Sequence, residues 1–296
     1  MSPILPRHES VPLTYMKWVP LYEKEKPFVY LSEVPKHSKD PRQSNFVFHS
    51  VQVPITDVRG QESNFSLDEH GFAYRQQRVG FDNFRDEEAI EREYLPQVAD
   101  FIRAEVDGAD EVEIFDWRMR RADYTPEEVD MNDKTVFLPT SGNVHVDQSP
   151  YQATQTLQRM RECLGDEKVD MYSRGRVRII NVWRPISGPV EDKPVTVCDG
   201  STCKTSELIT NDVIRSAGHG VREAWALLYG EQQKFYYLSS QTKDEPLMIK
   251  IFDSKRDIPA TCSPHTSFRH TQIPPGVDPR RSIEVRAFVF TRPKMA

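Results

Sequence analysis

Long hydrophobic runs are missing from this 296-residue chain, and none approaches the roughly 18 apolar residues that span a bilayer. No membrane-spanning helix is therefore expected. The opening MSPILPRHES lacks the charged, then apolar, then small-residue plan of a secretory leader, so no leader is expected either. Four cysteines (Cys163, Cys198, Cys203 and Cys262) are too few for a disulfide scaffold in a chain this long. They read as thiols of a reducing, cytoplasmic compartment. Glycine is scarce, with 13 residues against 22 prolines. That imbalance breaks up long helices and favours short extended segments joined by turns, and with no repeat at solenoid periods it excludes helical bundles and solenoids. An excess of positive charge is lacking too. The 39 Lys+Arg and 45 Asp+Glu leave a formal net charge of −6 with the basic residues scattered, which weighs against nucleic acid as a partner.

What is present is the composition of a polar globular protein, with 38% hydrophobic and 28% charged residues and a mean hydropathy of −0.63. No composition break resembles a linker, so one domain is expected over residues 1–296, with an irregular, proline-studded N-terminal segment over about 1–45. Strands are predicted at 46–55, 112–120, 176–186, 234–238, 247–253 and 282–290. Helices are predicted at 85–106, with Pro96 kinking or dividing it, and at 151–164. Helices early and short strands late suggest a mainly β sandwich or barrel with helices packed on one side.

The most informative triplet is His145-Val146-Asp147. On extended backbone, residues two apart project to one face, so an imidazole nitrogen and a carboxylate oxygen can serve one ion. A distant histidine would complete a two-His-one-carboxylate set that leaves adjacent positions open, as non-haem Fe(II) oxygenases require. The triplet alone also fits a polar turn beside a strand. Three distant histidines compete: His265 in CSPHTSF, His270, and His219 in the Gly-containing SAGHGV. His265 is favoured, because Arg280-Arg281-Ser282 follows it and leads into the last strand. Arginine offers a planar bidentate fork for the remote carboxylate of 2-oxoglutarate, and the serine hydroxyl adds a donor.

Seven segments in order carry a family resemblance: ITDVRG (55–60), FSLDEHGF (65–72), VHVD (144–147), NVWRPI (181–186), FDS (252–254), PHTSF (264–268) and SIEVRAFVF (282–290). With these the chain resembles, over nearly its whole length, the family of non-haem Fe(II)/2-oxoglutarate-dependent hydroxylase/desaturases related to AsaB, gibberellin GA4 desaturase and the cephalosporin 7α-methoxylase subunit CmcJ. The resemblance implies a double-stranded β-helix, the cupin-like jelly roll, with Fe(II) held at its mouth by His145, Asp147 and His265. It implies 2-oxoglutarate and O2 as cosubstrates, and hydroxylation or desaturation of a natural-product intermediate by hydrogen abstraction. The far carboxylate of 2-oxoglutarate would meet a basic residue, with Arg280 (and Ser282), Arg286 and Arg184 as candidates. Arg286 beside Glu284 could equally form a structural ion pair. In a regular strand Asn181 and Arg184, three apart, cannot both point inward.

Trp183, Asn181 and Tyr236 are candidate walls of the substrate pocket, with Tyr237 and Trp225 as further aromatics. The plainer reading makes the aromatics core or surface residues. Arg118, Arg120 and Arg121 form a basic cluster, ordinarily solvated but able to attract an anionic substrate. Cys198 and Cys203 have no second Cys/His pair at zinc spacing, so no zinc site is expected. The partner expected is a small molecule, without nucleic acid or membrane, and a homodimer is possible. The contrasting function is a non-catalytic small-molecule-binding or partner subunit on the same fold, against which the intact ligand spacing argues.

Overall fold

The computed structural model describes residues 6–31, 33–35, 38–124, 133–214 and 220–293. Two β-sheets make up its body. Among the described residues the larger has nine strands, beginning at one edge with β1 (Glu9–Met16), β3 (Phe48–Asp57), β12 (Phe235–Tyr237) and β9 (Val195–Cys198). It continues through β14 (His265–Ser267), β7 (His145–Val146), β11 (Val221–Leu227), β10 (Leu208–Ile214) and β2 (Phe28–Tyr30). The smaller sheet has six, in the order β4 (Phe72–Tyr74), β13 (Leu247–Asp253), β8 (Arg176–Pro185), β15 (Arg281–Thr291), β5 (Glu111–Arg121) and β6 (Leu138–Pro139).

Period-two alternation explains why these segments are strands and where each face goes. Along β8, Val177, Ile179 and Trp183 enter the core between the sheets, whereas Ile180 and Val182 enter a second core. Along β15, Phe288 and Phe290 face inward, and Ile283, Val285, Ala287 and Val289 face outward. The inner core joins both sheets, bringing Val146, Val195 and Val197 of the larger against Ile179, Ile249 and Phe288 of the smaller. The outer core is closed by helices: α1 (Glu87–Ala89), a π-helical turn (Ile90–Tyr94) and α2 (Leu95–Glu105), which supplies Val98, Phe101 and Ile102. This is the double-stranded β-helix that was expected; α1 and α2 cover the outer core, whereas Ala153, Leu157, Val169 and Tyr172 of later helices join the inner one.

Helix 85–106 appears with its break in place. Pro96 has no N–H to give and its ring crowds the preceding turn, and the wider π turn lies directly before it. The helix predicted at 151–164 divides at Met160 into α3 (Pro150–Arg159) and α4 (Arg161–Leu164), followed by an unpredicted α5 (Asp166–Ser173). The expectation of an irregular segment over about 1–45 needs correction. It contains β1, paired residue for residue with β3 from Glu9↔Ile55 to Met16↔Phe48, and β2, which pairs with β10. Pro12, one of the prolines of that segment, lies within β1. It sits on an edge strand, where a missing N–H costs little, while Val11, Leu13 and Tyr15 alternate into a core.

Candidate metal centre and adjoining cavities

Strand β7 is two residues long and lies in the middle of the nine-stranded sheet, between β14 and β11. It sets His145 opposite His265 of β14 in antiparallel register, with the two rings 4.7 Å apart between centroids. Val146 points into the core and fixes the extended backbone, so Asp147 emerges on the histidine side. The chain then turns into α3, whose first turn is closed by the Ser149 hydroxyl, accepting from Gln152 N at 3.1 Å, and by Pro150.

Ligand atoms from His145, Asp147 and His265 all lie within 4.8 Å of one another. Asp147 Oδ1 is 3.3 Å from His145 Nε2 and 3.9 Å from His265 Nε2. The far side of each group is occupied. His145 Nδ1 donates to the Asn143 carbonyl at 2.8 Å, and His265 Nδ1 donates to the Ser263 carbonyl at 3.2 Å. A carbonyl can only accept, so the ring hydrogen is held at Nδ1 and each Nε2 lone pair is turned toward the carboxylate. Asp147 Oδ2 accepts from Asn181 Nδ2 at 2.8 Å and from Arg286 Nε at 3.2 Å, leaving Oδ1 to face the two nitrogens. Burial opposes ionisation of Asp147, but the neighbouring charge of Arg286 outweighs it and holds the carboxyl well below its usual range. Burial, then the neighbouring His145, lowers His265 and favours its neutral ring. Two imidazole nitrogens and one ionised carboxylate oxygen form the donor set that suits ferrous iron with coordination positions left open.

Arg286 and Arg280 share β15 but differ in their commitments. Arg286 Nη1 donates to Asp116 Oδ2 at 3.0 Å, and its Nη2 pairs with Glu284 at 2.5 Å and with Asp147 at 3.2 Å. It is an internal ion-pair hub that buttresses Asp147. Arg280 is 1% exposed and donates from Nη1 to the Lys193 carbonyl at 2.5 Å and to Ser267 Oγ at 3.3 Å. Its guanidinium stacks 5.4 Å from the Trp183 ring. Its Nε and Nη2, and the nearby Ser282 Oγ, are buried without a hydrogen-bond partner. Burial first, and Arg120 next, pull Arg280 down to about 9, the condition of a cation in want of an anion. A cavity of about 20 Å³ lined by Arg280, Trp183, His145 and His265 separates it from the histidines. On the other side of His145 and Asp147 opens a larger cavity of about 390 Å³, lined in part by Leu138, Val213, Trp225 and several arginines.

Several candidates lie elsewhere. Arg184 projects from the opposite face of β8 to Asn181 and Trp183, and donates to the Gln77 side chain and the Lys243 carbonyl. Alternation along the strand removes it as a cosubstrate anchor. Tyr236 packs on Phe65 and Phe72, with centroids 4.9 and 5.7 Å away, and lines neither cavity. Its strand, β12, is two places from β14 in the sheet, and Tyr236 is half-buried against the edge of the inner core. His270 is buried against Glu9, Nδ1 to Oε1 2.8 Å, and is no part of the cluster. His219 lies outside the described residues. Trp225 lines the large cavity, and Arg118 and Arg120 of the basic cluster turn inward to it. Arg222, also on that wall, escaped the sequence reading because no strand was assigned over β11 and no motif surrounds it.

Comparisons with known proteins agree with this chemistry. The family described as Oxidoreductase/YMDC permease-like domain matches residues 13–290, although among the described residues no helix is long and apolar enough to cross a membrane. The Fe(II)/2-oxoglutarate-dependent dioxygenase nvfI of Aspergillus novofumigatus is 32% identical over 253 residues, covering 84% of this chain and 86% of the relative. The hydroxylase/desaturase CTB9 of Cercospora beticola is 36% identical over 257 residues, covering 82% and 77%. The solved iron and alpha-ketoglutarate-dependent endoperoxidase NvfI superposes with a TM-score of 0.81 at 27% identity, over 97% of this chain and 99% of the other. Similarity at that level along nearly the whole of both chains, joined to a two-histidine, one-carboxylate cluster in the same fold, makes this chain a member of the Fe(II)/2-oxoglutarate-dependent dioxygenase family.

Proposed function

We propose that the chain oxidises an unactivated C–H bond of a small natural-product intermediate, hydroxylating or desaturating it, with Fe(II) held by His145, Asp147 and His265. The observation that carries this reading is the convergence of His145 Nε2, His265 Nε2 and Asp147 Oδ1, each with its opposite heteroatom already engaged by the protein. Iron bound there with 2-oxoglutarate and O2 supplies the oxidising power for hydrogen abstraction as the cosubstrate is decarboxylated to succinate. The protein's share is positional. Asn143 and Ser263 set the imidazole tautomers, Asn181 and Arg286 orient Asp147, and the cavity beside His145 and Asp147 places the substrate carbon.

Arg280, with Ser282 beside it, is the residue we assign to the far carboxylate of 2-oxoglutarate. Unpartnered buried donors and a position next to the histidines support it over Arg286, whose donors are taken by three carboxylates. Within the dioxygenase family we place the chain with the AsaB, GA4 desaturase and CmcJ-like hydroxylase/desaturases, on the strength of its seven ordered motifs. A single catalytic domain over residues 1–296 and a cytoplasmic setting fit the joined cores and the four free cysteines.

The test is anaerobic. Fe(II) and 2-oxoglutarate added to the protein should raise a weak visible charge-transfer band, absent in His145→Ala and in Asp147→Ala. Loss of the charge-assisted bonds in Arg280→Ala should raise the 2-oxoglutarate concentration needed by about ten- to hundredfold. Arg286→Ala should weaken iron binding instead. A band that survives His145→Ala unchanged would overturn the metal assignment, and a larger cosubstrate effect from Arg286 would reverse the anchor.

A further inference from the structure

The larger cavity has an electrostatic character that iron and cosubstrate do not use. Arg118, Arg120, Arg222 and Arg286 line it, and Asp147 is the one carboxylate among its described lining residues. Arg286 is consumed by Asp147, Asp116 and Glu284, and Arg120 donates from Nη1 to the Pro139 carbonyl at 2.7 Å. Arg118 and Arg222 are different. Arg118 is 8% exposed and forms only a loose ion pair with Asp116, Nε to Oδ1 3.6 Å, too far for a hydrogen bond. The other oxygen of Asp116 is held by Arg286. Arg222 makes no hydrogen bond or ion pair with any described residue, and the Nε atoms of both arginines are buried without a partner. Arg59, Arg176 and Arg184, by contrast, are each tied to protein acceptors.

Two guanidinium groups partly withdrawn from water, one with a loose ion pair and no hydrogen bond and the other with neither, are costly unless something else supplies acceptors. They come from different sheets, Arg118 from the inner face of β5 and Arg222 from β11, so they converge on the cavity from opposite walls. The rest of the lining mixes polar side chains such as Asn143, Gln148 and Asn211 with apolar ones, among them Leu31, Leu138, Val213 and Trp225. We infer that the cavity selects a substrate with an apolar skeleton bearing a carboxylate, which Arg118 and Arg222 grip while the skeleton lies against Leu138, Val213 and Trp225. This rests on the oxygenase reading, because the cavity is the one onto which His145 and Asp147 open. The pair sets which molecules enter and how they are turned; the oxidation itself does not require it. The cosubstrate's own far carboxylate is the other source of the same chemistry.

The test uses the full chain with Fe(II) and 2-oxoglutarate under nitrogen. The probes are carboxylates and their neutral isosteres, 2-naphthoate against 2-naphthamide and 4-phenylbutyrate against 4-phenylbutyramide, followed by calorimetry. The acids should bind about tenfold or more tighter than their amides. Arg222→Gln and Arg118→Gln should each shrink that preference, Arg222→Lys should keep part of it, and the visible band should still titrate at the wild-type 2-oxoglutarate concentration. Equal affinity of acid and amide in both wild-type pairs, or no binding of either, overturns the inference without recourse to a variant. So does a preference unchanged in both glutamine variants. A shift of the 2-oxoglutarate titration in those variants, with probe binding unmoved, assigns the arginines to the cosubstrate and likewise overturns it. Absence of the band in the wild type would instead sink the oxygenase reading, and this inference with it.

Discussion

Asp147 divides its labour between two oxygens. Oδ1 faces the histidines, while Oδ2 is fastened by Asn181 at 2.8 Å and Arg286 at 3.2 Å. Asn181→Ala removes a tether without touching a ligand atom. We expect iron affinity to fall by about ten- to hundredfold in that variant, as for other partners of metal-binding side chains, with the fold intact by circular dichroism. Unchanged Fe(II) affinity in a metal titration would show that Arg286 alone orients the carboxylate. At this scale the sequence was informative where chemistry is local. His145 and Asp147 two apart on extended backbone were legible, as was the conflict between Asn181 and Arg184. Tyr236 and Arg222 were not, because which wall a side chain faces depends on strand order, and strand order is a long-range property.

Among the elements, the six-stranded sheet is the better-written half. Strands β8, β13 and β15 announce themselves by uninterrupted or alternating β-branched and aromatic residues, as buried strands do. Strands β1, β9, β10 and β11 carry polar residues or proline on faces that packing covers only in the assembled sheet, so local pattern underdetermines them. Two elements are clamped by charge. On β13, Lys250 and Asp253 are both buried and 2.7 Å apart, and Arg176 of β8 donates to the same carboxylate at 2.6 Å. Removing Asp253 takes from buried Lys250 and half-buried Arg176 the buried one of their two carboxylates and leaves them only the more exposed Asp68. Asp253→Ala should cost about 3–5 kcal/mol in denaturant unfolding. Because Asp253 lines neither cavity, the iron–cosubstrate band should persist in the folded variant. A change below about 0.5 kcal/mol would mean that Asp68 and solvent take over its role.

Across the whole molecule, the net charge of −6 and the arginine-lined cavity have opposite signs. Overall charge governs solubility and encounter, whereas ligand choice is set by the few groups that burial removes from screening. The inner core draws on both sheets and the outer core on the six-stranded sheet and α2, so unfolding should be one cooperative transition. Fe(II) with 2-oxoglutarate should raise Tm by mass action, and the rise should grow with ligand concentration. Two separated transitions by fluorescence and circular dichroism would argue for a second independent unit.

The two histidines sit on short adjacent strands at the centre of the large sheet, two residues in β7 and three in β14. Longer strands on either side have pairing enough to hold themselves, and these do not. An ion shared by His145 and His265 would act as a rivet across this seam. Amide exchange at residues 145–147 and 265–267 should slow on adding Fe(II), or redox-inert Mn(II), more than anywhere in β8 or β15. Iron starvation would then loosen the enzyme first at the seam that gives the metal its seat.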